Sequence, residues 1–198
     1  MVGDGPPTAG QLRARIANCD MMIGGPFSAD PSDPSVIPIC GLPGAVFWKA
    51  DLDVDCDGKM TAKCNSQTDP AYQNQTAATD SMGQALDAAA LPYVVIPGKS
   101  TRFDYSAAGL KMGSVFAVIF KDTVQYGVAG DVGPTAIIGE ASYRMAELLG
   151  IDPDPSIGGT DEEVDYIGFT GTDAVAVPIE DHDRAVSIGL EKASALVQ

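Results

Sequence analysis

The sequence predicts a mainly β fold with a few helices, an α+β arrangement in a single domain. Of its 198 residues, 45% are hydrophobic and 20% charged, enough apolar surface to close one core and to exclude global disorder. Most apolar runs are short and either alternate or are rich in Val, Ile, Phe and Tyr, the pattern of strands. Only four segments read as helix.

Residues 1–43 hold half of the 14 prolines, in runs such as Gly24-Gly25-Pro26 and Asp30-Pro31-Ser32-Asp33-Pro34. This region is expected to be mostly loop, with one helix over Gln11 to Cys19, packed on the same domain as residues 44–198. Ala45 to Asp57, AVFWKADLDVDCD, alternates as a strand. One face carries Val46, Trp48, Ala50, Leu52, Val54 and Cys56; the other carries Phe47, Lys49, Asp51, Asp53, Asp55 and Asp57. The later part of Gln73 to Ala90 reads as helix, stopped by Pro92, and Tyr93 to Ile96 as a short apolar strand. Ser114 to Phe120 and Thr123 to Val128 form a hairpin through Lys121-Asp122. Gly130 to Glu140 then turns, and Ala141 to Leu149 is a helix stopped by Gly150. Val164 to Thr170 and Ala174 to Ile179 supply further strands, and Asp181 to Val197 a last helix with acids in its first turn.

Charge narrows the function. Lys plus Arg number 12 against 27 Asp plus Glu, a formal net charge of −15, which argues against a nucleic-acid or anionic-membrane partner. No run approaches the length of a membrane helix. Four cysteines, at 19, 40, 56 and 64, lack the spacing of a zinc site and point to two disulfides in an oxidising compartment, so a secreted protein is expected, with its leader cleaved or omitted. Three pairings are open; Cys56 with Cys64 would close a short loop.

Several motifs fall short. Gly98-Lys99-Ser100 ends like a phosphate-binding loop, but Tyr93 stands where that loop needs Gly. His182 has no nucleophile elbow beside it and reads as a surface or helix-start residue. Asp53-x-Asp55-x-Asp57-Gly58 opens like a calcium loop, yet its twelfth position is Cys64 and the segment before it is a strand. Single aspartates of this row read as a solvated face; four in alternation repel one another and call for a cationic partner. Asp131 and Glu140 are the candidate catalytic pair. Asp131 ends a strand, Glu140 begins a helix, and the Gly133-Pro134 turn between them can bring two carboxyl groups face to face, as glycoside hydrolysis requires.

The chain also resembles the chitosanases of glycoside hydrolase family seventy-five, from about Gly44 to the C-terminus. The likeness is carried by KADLDVDCDG at 49–58, LPYVVIP at 91–97, FDYSAAGLKMGSVFAVIF at 103–120 and YGVAGDVGPTAIIGEASYRMAELLGIDPDPSIGG at 126–159. The resemblance implies a catalytic domain over 44–198 built around a double-psi β-barrel, with Asp131 and Glu140 as its essential carboxylates. It implies a secreted enzyme that cuts chitosan internally with inversion and needs no cofactor or metal. A monomer is expected. Chitosan is a polycation, so Asp51, Asp53, Asp55 and Asp57 are expected to line subsites for its 2-amino groups. Tyr126 or Phe47 is expected to stack on sugar rings, and Trp48 to be core. Two rival readings use the same residues: a non-hydrolytic module that binds chitosan or another wall carbohydrate, and a calcium-stabilised extracellular structural domain.

Overall fold

The computed structural model describes residues 5–198; residues 1–4 of the N-terminal region lie outside the described residues. Eight strands follow in the order β1 (Met22–Phe27), β2 (Ile37–Leu42), β3 (Ala45–Asp55), β4 (Tyr93–Pro97), β5 (Val115–Phe120), β6 (Thr123–Gly133), β7 (Glu140–Ser142) and β8 (Thr160–Phe169). Three α-helices, α1 (Ala9–Arg15), α2 (Tyr143–Leu149) and α3 (His182–Val197), complete the α+β fold. The strands pair in the order β3–β7–β4–β6–β5–β8, and β8 pairs back onto β3, closing a six-stranded barrel. The β1–β2 hairpin extends from β3, where β2 pairs with Ala45 to Phe47.

The closure rests on β3. Along one edge it pairs with β8 from Ala45 to Leu52; along the other its last three residues pair with β7. Its alternation sorts the two sides of the wall. Val46, Trp48, Ala50 and Leu52 join Val94, Ala129, Ala141, Phe116 and Tyr166 in one buried cluster. All six barrel strands contribute to it, so it fills the interior. Trp48 stacks on Tyr166 and meets Phe116 edge-on, ring centroids 5.5 Å apart in both pairs, which makes Trp48 core as expected. The second cluster lies outside the wall, where Phe47, Tyr93, Ala117, Val128 and Ile167 pack with Leu12 and Ile16 at the N-terminal helix and with Ala185, Ile188 and Ala193 of α3.

Local signals explain much of this. Thr8 and Gln11 form a capping box at the start of α1. Ser142 caps α2, and Gly150 ends it in the left-handed conformation at φ 75°. Asp181 caps α3. The β5–β6 hairpin turns at Lys121-Asp122, with Lys121 at φ 51°. The disulfides are Cys19–Cys40 and Cys56–Cys64.

Four expectations are corrected. Residues 1–43 hold two strands as well as a helix. Pro26 is accommodated because β1 is an edge strand, where a missing N–H breaks no ladder. Gln73 to Ala90 forms no helix; its backbone is taken up by Thr76 Oγ1, which accepts from Leu86 N, and by Leu86 O, which accepts from Lys59 N. Glu140 opens the strand β7, and the helix starts only at Tyr143. Ala174 to Ile179 gives the end of a 3-10 turn and a single bridge from Val175 to Ser114 in place of a strand.

Candidate active site

A cleft of about 580 Å³ opens on the outer side of the barrel wall, lined by Asp53, Asp55, Asp57, Asp69, Asp131 and Glu140 together with Gln73, Val95 and Ser156. The register of four strands builds it. Asp131 on β6 and Glu140 on β7 both pair with Val95 of β4, one on each side, and Asp53 of β3 pairs with Glu140. Directly paired residues share a face, so Asp53, Glu140, Val95 and Asp131 form one row. Two strand spacings separate the Asp131 and Glu140 backbones, about 10 Å. Glu140 leans over Val95, for a Cβ placed on Gly133 of β6 would stand 3.5 Å from its Oε2.

Asp131 reaches this row through a register shift. Ala129 pairs with Val94 and Asp131 with Val95, which leaves Gly130 as an extra residue in β6. Strict alternation would send Asp131 to the side of Ala129, inside the barrel; the bulge turns it out into the cleft. Gly130 is required there, since a Cβ would lie 2.6 Å from the Tyr93 side chain. Glu140 is delivered by Gly139 at φ 115°, where any side chain would strike the Asp51 carboxylate. The Gly139 carbonyl then accepts from Asp53 N at 2.8 Å.

The two carboxyl groups have different surroundings. Asp131 Oδ1 accepts two backbone N–H bonds, from Ala77 at 2.7 Å and Val132 at 2.8 Å. Burial pushes its pKa above the usual carboxylate value, and these two donors pull it back. Glu140 is pushed well above its usual value by burial and then by the charges of Asp55, Asp53, Asp57 and Asp131. Among the described residues, no Lys, Arg or His lines the cleft.

The remaining predicted residues divide. Asp53 is exposed in the cleft, its pKa raised by burial of its carboxyl and by Asp30 and Asp161. Asp57 is half-buried and raised to about 6, chiefly by burial, while its Oδ1 accepts from Gln73 N at 2.6 Å. Asp55 is only 6% exposed; its Oδ1 accepts from Asp57 N at 2.7 Å and its Oδ2 lies 3.0 Å from Tyr93 Oη. Asp51 does not line the cleft. It sits behind Gly139, its Oδ1 buried without a hydrogen-bond partner among the described residues, and burial followed by Asp53 raises it to about 7. Tyr126 is also outside the cleft, packed against Gly189 of α3, and Phe47 is 4% exposed, so both rings expected to stack on sugars belong to the packed core. Asp53 and Asp55 lie in β3 itself, an extended backbone that cannot wrap a cation as a calcium loop does. Sequence reading missed Asp69, Gln73 and Tyr93. The first two lie in a loop without periodicity, and Tyr93 reads as one more apolar strand residue.

Two acids lie on either side of one strand in an open groove, the kind of arrangement that glycoside hydrolysis uses. The family described as "Fungal chitosanase of glycosyl hydrolase group 75" matches residues 52–188. An Aspergillus oryzae protein named endo-chitosanase B is 36% identical over 168 residues, covering 75% of this chain and 70% of that protein. An endo-chitosanase of Aspergillus fumigatus is 31% identical over 172 residues, 79% and 72% of the two chains. Endo-chitosanase C of Aspergillus oryzae is 35% identical over 137 residues, 67% of this chain and 33% of its own length. The chain belongs to the group 75 glycosyl hydrolase family.

Proposed function

We propose that this protein is an endo-acting chitosanase that hydrolyses β-1,4 linkages between glucosamine residues with inversion at the anomeric carbon, Glu140 acting as general acid and Asp131 as general base. The observation that carries the reading is the placement of both residues opposite Val95. A separation near 10 Å between backbones, shortened by the reach of Glu140, suits the 6.5–9.5 Å between carboxyl groups that leaves room for a water molecule.

The roles follow from the surroundings. Glu140 keeps its proton because burial, and then the acids around it, disfavour its charged form, and no cation lines the cleft among the described residues, so it donates to the departing glycosidic oxygen. Two backbone donors favour the ionised form of Asp131 against its burial, so it removes a proton from the attacking water. Asp53, exposed beside Glu140, meets the ammonium group of a bound glucosamine. A polycation also supplies the positive charge that the groove lacks, which draws chitosan in over cellulose. The two disulfides support an oxidising, extracellular setting.

The test is incubation of the purified protein with chitosan and with cellulose, following reducing ends and the anomer first formed by proton NMR. Soluble oligosaccharides from chitosan alone, released initially as the α-anomer, are expected. Binding without new reducing ends would replace the reading with a non-hydrolytic module, and an initial β-anomer would refute inversion.

A further inference from the structure

The Tyr93 hydroxyl lies 3.0 Å from Asp55 Oδ2 and 3.0 Å from the Asp57 carbonyl oxygen. It owns one proton, and both neighbours accept if Asp55 is ionised. The other Asp55 oxygen is already engaged by Asp57 N at 2.7 Å. One arrangement satisfies every atom: Asp55 Oδ2 carries the proton and donates to Tyr93 Oη, and Tyr93 donates to the Asp57 carbonyl. A second observation favours it. Asp55 is 6% exposed and Tyr93 fully buried, and an ionised carboxylate sharing half a donor there would be poorly compensated.

The groups facing Asp55 agree. From its own strand and the turn after it come Asp53 and Asp57; from β4 comes Tyr93, from β6 Asp131, and from β7 Glu140 and Ser142. Four of these are acids and none is a cation. Ser142 is spent elsewhere, donating to Leu91 O and accepting from Tyr93 N and Met145 N.

We infer that Asp55 is protonated in the working enzyme and serves as a positioning residue: its neutral carboxyl ties Tyr93 to Asp57, fixes the floor of the cleft, and spares Glu140 a further negative neighbour until the pH nears neutrality. Asp55 then does not bind substrate ammonium. The inference rests on Glu140 being the acid of the proposed reaction. Burial first, then the charges of Asp57 and Asp131, raise Asp55 to about 7, so its ionisation falls where the alkaline side of the activity profile is expected.

Asp55→Asn keeps a donor toward Tyr93 and an acceptor toward Asp57 N. The expected result in a kcat/KM–pH profile on chitosan oligosaccharides is an acidic limb in place and an alkaline limb about one unit lower, because Glu140 no longer gains an ionised neighbour. At the top of the profile kcat should fall by less than about tenfold, far less than for loss of the acid itself. Equal downward movement of both limbs would mean that Asp55 is ionised throughout and would overturn the inference, as would two unmoved limbs. Neutron diffraction of the wild-type protein at mildly acidic pH reads the same point without a variant or activity. Deuterons on Asp55 Oδ2 and on Tyr93 Oη pointing at the Asp57 carbonyl are expected; a bare Asp55 with the tyrosine deuteron aimed at it would refute the arrangement. If the neutron result holds while chitosan is not cut, the proposed function fails and the proton placement stands.

Discussion

Two acidic regions share the outer wall of this barrel, and they are compensated in opposite ways. Asp165 on β8 is fully buried, with Arg13 Nε 2.7 Å from one oxygen and Lys49 Nζ 3.4 Å from the other. Lys49 and Asp165 are paired across β3 and β8, and Arg13 also donates to Lys121 O, so the acid ties α1 to the barrel. A few residues further along β3, Asp53 and Asp55, with Glu140 of the neighbouring β7, face a cleft that no cation lines among the described residues. The first set is arranged to hold the fold and the second to hold protons. A buried carboxyl among its own kind retains a proton at pH values where it would ordinarily have lost it.

The contrast is broken most sharply by removing the cleft acids. Glu140→Gln and Asp131→Asn should each lower kcat on chitosan by about a thousandfold, with the melting temperature of Glu140→Gln equal to or above that of the wild type, as expected when a crowded carboxyl becomes neutral. A lowered melting temperature for Glu140→Gln, measured by calorimetry, would make it a structural residue. The structural set responds in reverse. Arg13→Met leaves Asp165 with a single, longer contact and should cost about 3 kcal/mol of stability in denaturant titration, while kcat per folded molecule is kept.

Proton inventory predicts a third difference. Asp51 and Asp55 are raised from 3.8 to about 7 and Asp57 to about 6, so between about pH 4 and 7 the folded state binds more protons than the unfolded chain. Their contribution to stability is therefore fully present below about pH 4 and is lost as pH rises through the folded values. Melting temperature should fall across that window in dilute buffer, with a shallower slope in Asp51→Asn; a rise toward neutrality would contradict the proton count. The smallest effect belongs to Asp53→Asn, which should raise KM for chitosan several-fold and weaken its salt dependence while leaving the profile limbs near their positions.

How far the sequence revealed these features depends on whether local pattern and tertiary pairing agree. The alternation of β3 was legible because one side fills the barrel and the other faces helices, solvent and cleft, so hydrophobicity and geometry repeat with the same period. The β5–β6 hairpin, the stop of α2 at Gly150 and the acidic start of α3 were legible through turn and cap residues. Gln73 to Ala90 misled because Ala-rich propensity is weak beside the loop's own network, in which Asp80, Asp87 and Thr76 side chains bond nearby backbone groups. The pair Asp131 and Glu140 stood out from glycine and proline around it, but the means by which it meets was hidden. A bulge at Gly130 and a three-residue strand held between β3 and β4 are set by distant partners. Tyr126 was expected to stack on sugar rings, but α3, far along the chain, covers it.

The division of labour between Glu140 and Asp131 is tested most directly by azide rescue of Glu140→Ala and Asp131→Ala on chitosan oligosaccharides. A small anion can stand in for a missing base but not for a missing proton donor. Azide should restore turnover to Asp131→Ala and leave Glu140→Ala inactive. Restoration of Glu140→Ala alone would show that the carboxyl crowded by four acids gives up its proton first, contrary to the account given by its surroundings.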